Sequence, residues 1–189
     1  MIEGGQFLTA DFWQGIIPRE DKPIQYLEIG VHSGVNLISV ERLYAKHPES
    51  RLYAIDPWQD YDEYKEYKGT QDQTYLRFCR HIRSFGIEEK VVTVRGLSNE
   101  KIPTLEDNFF DIVYIDGNHN PEFVLEDAVL SFRKLKTNGY LIFDDYGFDG
   151  KEGTSKGIDG FLSAYSKKIK VLKTKWTTWG LAQVFVQKI

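Results

Sequence analysis

One cysteine, one methionine and six prolines occur in 189 residues, and no apolar run approaches the roughly 20 residues that a membrane-spanning helix needs. The lone Cys79 excludes an internal disulfide and points to a reducing compartment. The opening Met1-Ile2-Glu3-Gly4-Gly5-Gln6 is polar and acidic, unlike a secretory signal. The expectation is a cytoplasmic protein without a membrane partner. A basic tract is also missing. The formal net charge is −4, with both signs interspersed, so nucleic acid is not an expected partner. Repeats, low-complexity tracts and linkers are absent, and the length suits one domain over residues 1–189.

What the chain does have is two apolar runs that stop at carboxylates. Phe110-Asp111-Ile112-Val113-Tyr114-Ile115 ends at Asp116-Gly117-Asn118-His119, and Tyr140-Leu141-Ile142-Phe143 ends at Asp144-Asp145-Tyr146. Further short apolar runs lie near 25–29, 52–55 and 91–95. Helical patterns alternate with them: 35–46 with Leu37, Val40 and Tyr44 on one face and Ser33 as N-cap, then 121–135 with Phe123, Val124, Ala128, Phe132 and Leu135. Pro121 suits a first helical turn. A later helix over 158–168 buries Ile158, Phe161, Leu162 and Tyr165. This alternation predicts an α/β fold with a mostly parallel sheet and helices on both faces. Residues 169–174 and 181–187, joined through Trp176-Thr177-Thr178-Trp179-Gly180, read as an antiparallel hairpin closing the sheet. Residues 1–23, with Phe7, Phe12 and Trp13, read as a capping segment.

In such sheets ligands bind beyond the carboxyl ends of the strands. Three acids delivered to that edge call for a positive group beside them. Glu28-Ile29-Gly30-Val31-His32-Ser33-Gly34 follows the first strand and opens the first helix. Gly30 permits a tight turn and close backbone approach, and the helix N-terminus offers free amides. A dinucleotide site would carry G-x-G-x-x-G; only G-x-x-x-G is present, preceded by an acid. That favours a cationic ligand, S-adenosylmethionine, over a pyrophosphate, although a plain strand–helix turn reads the same way. Asp56, ending the second strand, could accept both hydroxyls of a ribose or cap a helix. Trp58 could cover the ribose or adenine, or pack in the core. Ser98 could touch the adenine edge or lie in a loop.

With these pieces in order, the chain resembles the class I S-adenosylmethionine-dependent methyltransferases, and within them a small O-methyltransferase family with D-G-x-H and F-D-D-Y motifs that includes sugar and macrolide-sugar enzymes. The matching stretches are 28–34, Ala54-Ile55-Asp56-Pro57-Trp58, 110–119 and 134–146. The resemblance implies a Rossmann-like, seven-stranded sheet with an antiparallel last strand, and a divalent metal held by Asp116, Asp144 and Asp145. It implies S-adenosylmethionine bound across Glu28, Gly30, Ser33, Gly34, Asp56, Trp58, Ser98 and Asp116. The chain departs from the family pattern at Asn118 and Asn120-Pro121, beside the expected acceptor, and at Thr137-Asn138-Gly139, where Asn tolerates a left-handed turn. The segment before the first strand is short for the family, so the expectation is a substrate lid that is largely missing or is supplied by a second copy in a homo-oligomer.

Clustered carboxylates suit Mg²⁺ first, with Ca²⁺ or Mn²⁺ as alternatives. A metal beside a hydroxyl eases its deprotonation. His119, three residues after Asp116, has the intrinsic pKa of a general base, and could equally contact the cofactor or cap the following helix. Asp116 and His119 are the candidate catalytic pair. Asp144 and Asp145 could reach one ion only if their strand has already ended, because adjacent strand residues point to opposite faces. Tyr61, Tyr64 and Tyr67 form a stripe that could line a sugar site or pack on the domain. Gly150 to Gly157 reads as a loop beside the acids, and His47 and His81 as surface residues. The expected function is O-methylation of a small hydroxylated molecule, a sugar or glycoside. The alternatives are an NAD-type oxidoreductase and a non-catalytic S-adenosylmethionine-binding module.

Overall fold

The computed structural model describes residues 9–60, 65–148, 153–178 and 180–189. Seven strands, β1 (Gln25–Ile29), β2 (Arg51–Asp56), β3 (Val91–Arg95), β4 (Phe110–Ile115), β5 (Leu135–Tyr146), β6 (Ile169–Trp176) and β7 (Ala182–Lys188), form one sheet in the order β3-β2-β1-β4-β5-β7-β6. β1 to β5 are mutually parallel, and β7 runs antiparallel to both neighbours. The mostly parallel sheet with an antiparallel last strand is therefore as expected. The strand order reverses between β1 and β4, which in an open α/β sheet marks the crevice for a ligand.

Alternation along the strands sorts the core into two layers. Tyr26, Tyr114, Ile142 and Phe185 face helices α1 (Val35–Leu43) and α2 (Gln71–Ser84) through Leu37, Val40, Phe78 and Ile82. Leu27, Ile29, Val113, Ile115 and Phe143 face α4 (Pro121–Lys134) and α5 (Thr154–Tyr165) through Val124, Ala128, Phe132, Ile158 and Phe161. A four-residue helix, α3 (Ser98–Lys101), follows β3. α4 and α5 touch at Gly157, where an added Cβ would lie 2.5 Å from the Pro121 carbonyl oxygen.

Several local expectations change. The residue capping α1 is Gly34, in a left-handed conformation, not Ser33. Phe123 is exposed rather than on the buried face of α4. α1 ends at Leu43, and α5 begins at Thr154, which draws part of the expected loop into a helix. Asn138 takes φ 65, as a left-handed turn residue. Residues 10–13 form a 3-10 turn whose Trp13 ring, wholly buried, lies against Tyr26, Tyr44 and Tyr114. Phe7, Tyr61, Tyr64, Gly150 and Lys151 lie outside the described residues. No helix among the described residues is long and apolar enough to cross a membrane.

Candidate active site

Two loops meet at the switch point. After β1 the chain turns at Gly30, φ 81, directly beneath the start of the β4–α4 loop. Asp116 N donates to the Ile29 carbonyl at 2.9 Å, and a Cβ on Gly30 would sit 1.9 Å from the Asp116 carbonyl oxygen. Only glycine fits there. The rest of the loop is pinned from outside. His32 N donates to Asp56 Oδ2 at 2.8 Å, Trp58 Nε1 donates to the His32 carbonyl at 2.8 Å, and His81 Nδ1 lies 2.8 Å from the Ser33 carbonyl. A carbonyl can only accept, so His81 carries its proton there. His81 is thus a buried anchor of the loop, contrary to its reading as a surface residue.

The cofactor candidates divide accordingly. Gly30, Gly34 and Ser33 build the loop, and the Ser33 hydroxyl is buried without a partner among the described residues. Asp56 accepts both His32 N and, through Oδ1 at 2.7 Å, Trp58 N. A carboxylate has about four acceptor sites, so a ribose contact remains open to it. Of the two expectations for Trp58, core packing is the one seen: it is 1 % exposed, its ring against Phe78 and Tyr75. The Ser98 hydroxyl donates to Asp127 of α4, a buried acid that the sequence reading missed. Asp56→Ala would orphan two backbone donors. It is expected to cost about 1–3 kcal/mol, seen as a lower denaturation midpoint with unchanged slope. A fully stable variant with weakened cofactor binding would instead make Asp56 purely a ligand residue.

Glu28 lies inside the fold rather than beside the loop. It is 1 % exposed and accepts from Tyr26 Oη at 2.6 Å and Asn36 Nδ2 at 3.2 Å. Burial pushes its pKa to about 8, helped by the Asp144 and Asp56 charges and opposed by those two hydrogen bonds. Burial likewise lifts Asp127 to about 7. The ordinary values are 4.5 and 3.8. Between the ordinary and the raised values the folded state holds protons that the unfolded state has released. Stability therefore falls with rising pH, by about 1.4 kcal/mol per pH unit for each group. The ligand-free protein is expected to unfold at lower denaturant concentration near about pH 8 than near about pH 5.5, with Glu28→Gln flattening the trend. A midpoint that rises across that range would show that Glu28 is charged in the fold.

The acidic motifs converge beside these loops. Asp116 follows β4 and is half-buried. Burial, then the charges of Asp144, Asp145, Glu28 and Asp56, hold its pKa well above the usual carboxylate range. Against strict alternation, β5 has not ended at Asp144. The register with β7 slips between Phe143 and Tyr146, and Asp145 takes φ 51. This bulge parts the two neighbouring acids. Asp145 Oδ2 meets His119 Nε2 at 3.1 Å, and the His119 ring rests 4.6 Å from the ring of Phe148. Asp144 turns inward. Its Oδ2 accepts from Tyr114 Oη, whose oxygen accepts from Gln183 Nε2 at 3.0 Å, while its Oδ1 is buried without a partner among the described residues. Burial, then Asp145, raises its pKa to about 7. The donor atoms that lie within 4.8 Å of one another are those of Asp116, His119 and Asp145; Asp144 is not among them. Tyr114 and Gln183 escaped the sequence reading. The one available signal was a lone glutamine in the otherwise apolar run Ala182 to Val186.

A strand–loop–helix turn and an acid cluster thus meet at the switch point, where open α/β sheets bind ligands. Residues 27–146 match the family model described as "Methyltransferase domain", and the chain belongs to that family. An uncharacterized protein of Acanthamoeba polyphaga mimivirus is 26 % identical over 129 residues, covering 67 % of this chain and 53 % of the relative. The chain thus spans about half the length of that curated relative. Among solved structures, the O-methyltransferase TomG from Streptomyces achromogenes, in complex with S-adenosylmethionine, superposes with TM-score 0.68 at 17 % identity, covering 87 % of this chain and 72 % of that one. An rRNA methylase from Streptococcus thermophilus gives TM-score 0.66 at 12 % identity, covering 95 % and 93 %. Cofactor-bound Rv0187 from MTB gives 0.65 at 16 %, covering 87 % and 72 %. These likenesses establish the fold. The family membership sets aside the NAD-type oxidoreductase.

Proposed function

We propose that this chain transfers the methyl group of S-adenosylmethionine to a hydroxyl of a small molecule, a sugar or glycoside, with a divalent cation at the acid cluster. The observation that carries this is geometric: donor atoms of Asp116, His119 and Asp145 lie within 4.8 Å of one another beside the Gly30 turn, and Asp144, Glu28 and Asp56 are close enough to raise the Asp116 pKa further. Carboxylates crowded in this way hold protons when nothing is bound and suit cationic occupants that replace them, here a sulfonium, an ammonium and a hard metal ion. Such a cluster disfavours a phosphate backbone, which weighs against the acceptor class named for the rRNA methylase neighbour.

The residues fit both groups. The Gly30–Gly34 loop supplies the cradle. Asp116 and Asp145 place carboxylate oxygens within 4.8 Å of one another and of a His119 nitrogen; the two acids are the proposed ligands of one ion, and His119 stays uncoordinated beside them. A bound divalent cation would lower the pKa of an adjacent hydroxyl. The chain itself orients the acceptor, which can lower a barrier by roughly 7–11 kcal/mol. His119, held between Asp145 and Phe148, is suited to receive the acceptor's proton, since the Asp145 carboxylate stabilises the resulting imidazolium. Incubation with methyl-labelled S-adenosylmethionine and a panel of glycosides, with Mg²⁺ or EDTA, tests the reading. Label is expected on an oxygen of a glycoside, reduced by EDTA. Label on nitrogen or carbon, or none on any member, would overturn it.

A further inference from the structure

The turn that follows the acid cluster carries a second feature, and its reading rests on the hydroxyl-acceptor proposal above. Of the described tryptophans, Trp13 and Trp58 are 0 % and 1 % exposed, whereas Trp176 is 55 % exposed. Its position is not that of a loose surface side chain. Tyr146 of β5 and Trp176 of β6 both pair with Ala182 of the intervening β7. The three stand in one row on one face of the sheet, and the small alanine leaves the two rings free to meet above it. They do so edge to face, 5.8 Å apart. The indole also lies against the backbone of Gly147, where an added Cβ would come within 3.3 Å of the six-membered ring. The bulge at Asp144–Asp145 is what returns Tyr146 to this face.

The same turn holds the reactive groups. Phe148 N donates to the Asp145 carbonyl at 2.9 Å. Ser155 Oγ accepts from Gly147 N at 2.9 Å, and Thr154 Oγ1 donates to the Asp145 carbonyl. Four consecutive residues, clamped by the start of α5, therefore join Asp145 and its His119 contact to the Tyr146–Trp176 pair. On the aromatic side, Tyr146 Oη donates to the exposed Asp159 carboxylate at 3.2 Å.

We infer that Trp176 is the platform on which the acceptor's pyranose ring stacks, with Asp159 and Tyr146 Oη receiving its hydroxyls. The axial C–H face of a pyranose is weakly positive and complements the negative face of an indole, while its rim of hydroxyls needs acceptors, which Asp159 supplies. The same carboxylates repel phosphates, so a stacked nucleobase of a nucleic acid fits less well. A rigid, pre-placed ring also spares the binding step an ordering cost.

The test separates binding from chemistry. Saturation-transfer NMR is recorded with methyl α- and β-pyranosides of glucose, galactose and rhamnose on wild type, Trp176→Ala and Trp176→Phe, each checked by circular dichroism. At least one pyranoside is expected to receive saturation on its axial face from the wild type. Its affinity should fall about tenfold in Trp176→Ala, the upper end for an aromatic stack, and recover in Trp176→Phe, with affinity for S-adenosylhomocysteine unchanged in all three. Where methyl transfer is seen, Trp176→Ala should raise the acceptor KM and spare kcat. Pyranoside binding equal in wild type and Trp176→Ala, or absent from the wild type, overturns the platform. Binding that depends on Trp176 without any methyl transfer would uphold the platform and remove the methyltransferase proposal alone.

Discussion

Gly30→Ala is expected to lose affinity for S-adenosylmethionine and to be substantially less stable than the wild type. Two costs combine. An alanine held at a positive φ stores about 1–3 kcal/mol of backbone strain. The added methyl would also lie 1.9 Å from a backbone oxygen, which no rotamer change can move. Relief requires β1 and the β4–α4 loop to part, which breaks the 2.9 Å bond from Asp116 N to the Ile29 carbonyl and shifts Asp116 out of the cluster. Gly15→Ala is the matched control. Gly15 has φ 79 with nothing within 4 Å of its added Cβ, so it carries the strain without the collision. Denaturant unfolding and calorimetry with S-adenosylhomocysteine distinguish them. Gly15→Ala should bind as the wild type does. A Gly30→Ala variant with wild-type affinity would mean that this loop is not the cofactor's cradle.

What could be read from the sequence followed the strength of the local pattern. β1 and β4 are buried on both faces, so their apolar runs stood out, and the acids after β4 and at the end of β5 marked the crevice. The hairpin of β6 and β7 was legible because Gly180 and the threonines separate two strand-like runs. α2 was not legible. It buries Phe78 and Ile82 but exposes Leu76, and most of its other positions are polar, so tertiary packing rather than periodicity places it. Trp58 and Asp56 were ambiguous in a related way. Each sits where a ligand residue would sit in sequence; the fold takes the indole into the core and uses the Asp56 carboxylate to clamp the neighbouring loop, while leaving it acceptor capacity for a ribose. His81 could not be placed at all, because its partner, the Ser33 carbonyl, lies 48 residues away. The acid pair shows the limit most clearly. Alternation warned that Asp144 and Asp145 would diverge, but only the register slip against β7 reveals which of them stays at the edge.

That divergence makes the two neighbouring aspartates separable by experiment. Asp145→Asn and Asp116→Asn are each expected to abolish stabilisation by Mg²⁺, Ca²⁺ or Mn²⁺ and to cut methyl transfer at least about 100-fold, the scale for losing one preorganised electrostatic group. Cofactor binding should survive in Asp145→Asn, since that side chain meets His119 and not the Gly30 loop. Asp144→Asn should behave differently. An amide oxygen can still accept from Tyr114, and the substitution removes one of the carboxylates that raise the pKa of Asp116. Unfolding measured without cation should therefore shift to higher denaturant near neutral pH, and a response to added cation should persist. In the wild type, cation at about 100 times its dissociation constant should add about 2.7 kcal/mol of stability, because the unfolded chain lacks the assembled site. The decisive measurement is a paired titration of unfolding midpoint and turnover against each metal, followed by EDTA. If neither quantity responds in the wild type, no cation belongs in the cluster, and His119 with Asp145 must take the proton unaided. If Asp144→Asn and Asp145→Asn lose the response equally, both acids hold the ion, and binding must draw the Asp144 carboxylate away from Tyr114.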